Sequence, residues 1–257
     1  LVWVARRYAD ALITIMEGEG ERLGAPAKTV LIYNFVDFTY FDRCLRDNAL
    51  AKGKRRPKSV VMLGGVARIK GTLELAQACH LVQEKLGKVR FIVAGQSAEG
   101  APKGPLNPRR WLSMFLGGGQ YVERVLNLSK PQDPNGLELI GVVKDVPPLL
   151  AEADLLVFPS TEPHFARPII EAGAMAVPVV ASDLEGPREL VVHGKTGLLV
   201  PPGDPKALAD AIITILSDDE TARSMGEAGY QQAQRLFNAG ANAQATFAVY
   251  ERVMRGE

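Results

Sequence analysis

Cysteine and histidine are scarce in this chain, with two and three residues among 257. Cys44 and Cys79 fall in different predicted elements without Cys-x-x-Cys spacing, so neither a disulfide framework nor a zinc site is expected. A reduced, cytoplasmic setting is the default for such a chain. Charge of one sign is also lacking: 30 Lys plus Arg against 29 Asp plus Glu leave a net charge of +1, which argues against nucleic acid as a partner. No apolar run is long enough to span a bilayer. The opening LVWVARRYADALITIM is interrupted by Arg6, Arg7 and Asp10 and lacks the small-residue cleavage pattern of a signal peptide. There is no Asp-x-Asp metal signature, and neither a metal nor a cofactor is expected. What is present is apolar content of 47%, ample for one large or two small domains.

Strand and helix patterns alternate along most of the chain, which predicts a parallel sheet sandwiched by helices in a Rossmann-like α/β fold. Val60–Leu63 reads as a strand, followed by the Gly64-Gly65 turn and a helix over Thr72–Leu86. Phe91–Ala94 and Leu137–Ile140 read as further strands, each closed by a glycine, and Val146–Glu152 as a short helix. Within the Gly- and Pro-rich stretch between them, RRWLSMFLGGGQYVERVLNL has helical spacing broken or ended by Gly117–Gly119. Gly197–Val200 is a strand, and Asp204 with Pro205 forms a helix N-cap and first position. Helices continue through Leu236, and a last one covers about Ala241–Arg255. The first forty residues read as two strands, ADALITIM and KTVLIYNFVD, too few for a domain. They are expected to be the end of something larger, and FTYFDRCLRDNALAKGKRRPKS a connector with a basic end.

The segment Phe158–Ser182 carries the most chemistry. A buried strand, Leu155–Phe158, runs into a polar loop holding Glu162, His164 and Arg167. A helix then opens near Pro168 with Glu171 in its first turn, and the strand Pro178–Ala181 follows. Two carboxylates are thereby held where an open α/β sheet places its ligand crevice, and where free N–H groups and the helix dipole favour an anion. Phosphate on the backbone and sugar hydroxyls on the carboxylates describe a nucleotide-sugar.

In this order of elements the chain resembles the retaining glycosyltransferases of GT-B fold, specifically glycosyltransferase family 4, over most of residues 28–257. The resemblance is carried by KTVLIYNFVD, VVMLGGVARIKGTLELAQA, IGVVKDVPPLLAEADLLVFPS, EPHFARPIIEAGAMAVPVVASD and ELVVHGKTGLLVPPGDPKALADAI. It implies two Rossmann-like domains, the C-terminal one taking the donor. On that basis residues 1–40 are the residual end of an N-terminal acceptor domain and 41–58 a linker. Residues 59–240 are the nucleotide-sugar-binding domain, and 241–257 a helix crossing back to the N-terminal domain.

The resemblance also implies roles. Gly64, Gly65 and Lys70 match the phosphate loop, with Lys70 on the donor diphosphate as a flexible point charge. Gly65 stands where the family usually has arginine, and Arg68 is the candidate to replace it. Val142 and Val143 match the turn whose backbone meets the nucleobase. Glu171 matches the residue that binds ribose hydroxyls, and Glu162 the one that contacts the sugar or supports charge at the reacting carbon. Phe165, Ala166 and Arg167 lie at the N–H groups facing the diphosphate; Arg167 either pairs with a neighbouring acid or reaches phosphate. Eight residues separate Glu162 from Glu171 where the family has seven, so His164 reads as an insertion in the donor-facing loop, able to bond a sugar hydroxyl. Ala166 replaces a usual glycine, and Pro168 removes one N–H.

The expected partners are a nucleotide-sugar donor, a hydroxyl acceptor (sugar, lipid-linked glycan or small molecule) and the N-terminal domain. The basic run Lys52–Lys58 reads as a solvated linker with a peripheral membrane contact as its alternative. His80 and His193 read as helix-surface and turn residues. One rival is a nucleotide-binding module without turnover of its own. The other, a nicotinamide-dependent oxidoreductase, is disfavoured because LGGVARIKG lacks Gly-x-Gly-x-x-Gly spacing.

Overall fold

The computed structural model describes residues 7–51, 56–95, 118–128 and 136–256. Its first strands, β1 (Leu12–Thr14) and β2 (Thr29–Leu31), pair in parallel. A parallel pair needs a crossover, supplied by α1 (Glu19–Arg22) and the short 3₁₀ turn Pro26–Lys28. The segment read as a connector instead contains α2 (Arg43–Ala51), which packs on the main sheet's helices through buried Arg46. Residues 1–6, residues 52–55 of the basic run and residues 109–117 of the predicted helix lie outside the described part. Among the described residues, that helix begins at the glycines that were expected to break or end it, as α4 (Gly118–Leu128) after α3 (Thr72–Leu86).

Six strands make the main sheet: β3 (Lys58–Leu63), β4 (Val89–Ala94), β5 (Leu137–Gly141), β6 (Leu155–Phe158), β7 (Val179–Ser182) and β8 (Gly197–Val200). All neighbours are parallel and the spatial order is β5-β4-β3-β6-β7-β8. This is the doubly wound order, with strand succession reversing between β3 and β6, the point where such folds bind ligands.

Apolar residues alternate between the two faces of each strand. Val61, Leu63, Ile92, Leu156 and Phe158 join one core with α5 (Val146–Ala151) and α6 (Arg167–Ala174). Val60, Met62, Phe91, Leu155 and Val157 join the other with α3 and α8 (Pro205–Ser217). Strands buried on both faces are the reason the sequence shows continuous apolar runs here. The expected cap of α8 is realised: the Asp204 carboxylate accepts from the N–H groups of Lys206 and Ala207, each at 3.0 Å.

The remaining helices are α7 (Pro187–Leu190), α9 (Asp219–Leu236) and α10 (Ala239–Met254). The start of α10 meets the first part of the chain: Asn242 Nδ2 donates to Tyr33 O at 2.7 Å, and Val36 N donates to Phe237 O at 2.9 Å. No helix among the described residues is long and apolar enough to cross a membrane.

Candidate functional site

Three backbone turns lie side by side at the C-terminal edge of the sheet. After β3 the N–H groups of Gly64 and Gly65 both donate to Ala94 O, at 2.9 and 3.0 Å. Beyond β4, Gly95 N donates to Gly141 O at 2.7 Å. A Cβ on Gly95 would stand 2.3 Å from Gly65 N, so bare backbone is required for the turns to stack.

Arg68–Lys70 then forms one 3₁₀ turn that ends at Gly71 with φ +70°. A Cβ there would lie 1.7 Å from Pro159 O, which brings the turn directly against the loop after β6. Thr161 reinforces the junction: its N–H donates to Ile69 O and its hydroxyl to Arg68 O, both at 3.1 Å. The switch point is therefore bridged, and Lys70 is carried across it. Its Nζ lies 2.8 Å from His164 Nε2 and 5.6 Å from the Phe158 ring centroid. Burial lowers the Lys70 pKa.

His164 Nδ1 lies 2.9 Å from Glu162 O. A carbonyl accepts only, so Nδ1 carries the hydrogen and the Nε2 lone pair accepts from the Lys70 ammonium. Burial first, and then the Lys70 charge, hold the imidazole below its ordinary pKa against the opposing pull of Glu162. The ring leans on Phe158 at 5.1 Å between centroids.

Helix α6 begins at Arg167, one residue before Pro168, so Glu171 occupies its second turn and not the first. Its cap residue, Ala166, is buried and offers no side-chain acceptor to the first N–H groups. Arg167 Nε donates to Glu171 Oε1 at 3.0 Å, the neighbouring acid of the two partners expected for it. The Glu171 side chain is 13% exposed, and burial raises its pKa while Arg167 draws it down.

The other expected residues divide by how they are held. Phe165 packs against the core below α6 and α5. Glu162 and Arg68 are exposed, and it is their backbone carbonyls that are engaged, by His164 and Thr161. Val142 is 74% exposed at the lip of the turn after β5, while Val143 packs against the core.

Three residues join the site without having been singled out. Phe158, expected as a strand end, is the platform under Lys70 and His164. Tyr40 comes from the presumed connector: its hydroxyl donates to Asp145 Oδ1 at 2.9 Å, and its pKa is raised by that bond first, by burial, and by Glu171 among the nearby charges. Asp145 at the start of α5 looks like a cap residue, yet its side chain caps nothing, a signal visible only with the fold in hand.

The family described as Glycosyl transferases group 1 matches residues 57–218, more than half of the sequence, and the chain belongs to that family. It is similar to D-inositol 3-phosphate glycosyltransferase of Corynebacterium urealyticum, 31% identical over 180 residues, which cover 69% of this chain and 39% of that one. It is also similar to N-acetyl-alpha-D-glucosaminyl L-malate synthase of Bacillus anthracis, 27% identical over 244 residues, 93% of this chain and 58% of the relative. Among solved structures, Anabaena HepE in complex with UDP-glucose superposes with a TM-score of 0.75 at 25% identity, covering 99% of this chain and 66% of that one. The chain thus spans less than two thirds of the length of each of these proteins.

Proposed function

We propose that this chain is the donor-binding part of a GT-B glycosyltransferase of family 4. The enzyme would transfer a sugar from a nucleotide diphosphate to a hydroxyl acceptor with retained anomeric configuration. The observation that carries the reading is the bridged switch point: one turn presents Lys70 to the loop that leads into Glu171, beside the turn of Val142 and Val143. Lys70, the N–H groups around Phe165–Arg167 and the dipole of α6 would take the diphosphate and stabilise it as it leaves. Glu171 would accept from ribose hydroxyls, Val142 and Val143 would present backbone to the base, and Glu162 would support charge at the reacting carbon. The reported UDP-glucose complex of Anabaena HepE supports a nucleotide-sugar as the donor class.

The acceptor, a sugar, lipid-linked glycan or small molecule, would be held by an N-terminal domain extending the β1–β2 pair. Support comes from the exposed apolar residues Ile13 and Leu31 on that pair and from Phe247, Tyr250 and Met254 along one side of α10. Without that domain the chain is expected to bind donor and not to turn it over. A cytoplasmic setting with peripheral membrane contact fits a lipid-linked acceptor.

Thermal unfolding with UDP, GDP and ADP tests the reading. One diphosphate at 100 times its Kd stabilises by about 2.7 kcal/mol, and Lys70→Ala cuts this to about 0.4–1.4 kcal/mol at the same concentration. No stabilisation by any of the three contradicts the proposal.

A further inference from the structure

A lone ammonium is a small counter-charge for a diphosphate, and the structure holds a second group able to become a cation beside it. His164 Nε2 is 2.8 Å from Lys70 Nζ, and its ring is fixed from two other sides. Nδ1 bonds Glu162 O at 2.9 Å, and the ring rests tilted against Phe158, 5.1 Å between centroids. The backbone of the loop is seated as well, since a Cβ on Gly186 would stand 2.3 Å from His164 O. The charged groups bearing on the imidazole are Lys70, from the turn after β3, and Glu162, from its own loop. In this arrangement the imidazole is obliged to stay neutral, because a proton on Nε2 would point at an ammonium.

Resting on the donor-site reading above, we propose that His164 holds Lys70 in the empty site and takes up one proton when a nucleotide diphosphate draws the lysine away, so that both cations face the diphosphate. The exchange balances. The ammonium keeps its three protons and moves its hydrogen bond from Nε2 to a phosphate oxygen. The freed Nε2 lone pair takes a proton from solvent, and the Nδ1–H bond to Glu162 O is kept. Removing the ammonium and adding a dianion both favour the imidazolium, in the same direction as release from Lys70. By linkage, donor affinity then rises as pH falls, and donor binding raises the His164 pKa by the reciprocal amount.

Calorimetric titration with UDP-glucose, GDP-mannose and ADP-glucose tests this, because their diphosphates are esterified at both ends and do not themselves titrate near neutrality. The titrations are run in buffers of low and high ionisation enthalpy. The proposal predicts a buffer-dependent heat equal to about one proton taken up near pH 7, with affinity weakening by up to about tenfold per pH unit above it. His164→Gln, which can accept from Lys70 but cannot titrate, binds the same donor with buffer-independent heat and a flat pH profile. Buffer-independent heat in the unaltered protein overturns the proposal, as does the same proton uptake in His164→Gln. Binding of none of the three donors fails the donor-site reading itself, and the inference falls with it.

Discussion

Lys70 and His164 lie 94 residues apart in sequence and share a 2.8 Å hydrogen bond between side chains. Each comes from a loop at one side of the sheet's switch point, and the Phe158 ring lies under both. The pair thus ties the two halves of the doubly wound sheet together at the place where a ligand would enter.

Replacing Lys70 by alanine removes a charge-assisted contact to phosphate, and affinity for the cognate diphosphate is expected to fall about 10- to 100-fold. The same change frees the imidazole from the neighbouring charge, so the His164 pKa moves up toward its ordinary value. Titration of the His164 ring by NMR in both proteins checks the second effect. An unchanged ring pKa would mean that the pair does not form in solution.

Glu171 should show opposite effects on stability and binding. Its folded pKa is raised, by burial first, so the folded state is penalised above that pKa and relieved as pH falls through it toward the unfolded value. Glu171→Gln removes the penalty at neutral pH, and Arg167, whose side chain is 64% exposed, is left in water. Urea unfolding at pH 7 is expected to show equal or greater stability, within ~1 kcal/mol. Affinity for nucleotide should nevertheless drop by about tenfold or more, as the ribose loses a charged acceptor.

The bridge across the switch point depends on Gly71. Gly71→Ala places a methyl 1.7 Å from Pro159 O at φ +70°, so either the 3₁₀ turn or the loop after β6 must move. A loss of about 2 kcal/mol or more in urea unfolding is expected, together with loss of nucleotide binding. A fully stable variant that still binds would show that the turn is not held there.

Arg46 anchors α2 by donating to the carbonyls of Ala153 and Leu150, and burial pushes its pKa down to about 10. Arg46→Ala takes the guanidinium from Ala153 O and leaves a cavity, while Leu150 O keeps the Ala153 N–H at 3.1 Å, and about 2–3 kcal/mol of stability should be lost. Nucleotide affinity should stay unchanged, because α2 packs on α5 and not on the donor edge. Denaturation and titration of the one variant separate the two effects.

These residues also explain what the sequence discloses and what it hides. The strands and α3 are legible because Val60–Leu63, Phe91–Ala94 and Leu155–Phe158 are apolar without a break, as burial on both faces requires. Asp204 with Pro205 announces α8 by local chemistry alone. Helix α2 escapes because a charged residue, Arg46, occupies its buried face and masks the apolar period. Glu171 falls in the second turn of α6, one residue further in than a start at Pro168 gives, because Pro168 sits at the second helical position. The contacts of Tyr40 with Asp145 and of Lys70 with His164 span 105 and 94 residues, and no local pattern encodes them.

The most direct test of the donor site is calorimetric titration of this chain with UDP, GDP and ADP, with Glu171→Ala and Lys70→Ala alongside. The account predicts saturable binding of one nucleotide, weakened by both substitutions, which would also identify the base. Binding of none of the three, or binding indifferent to both substitutions, would contradict it.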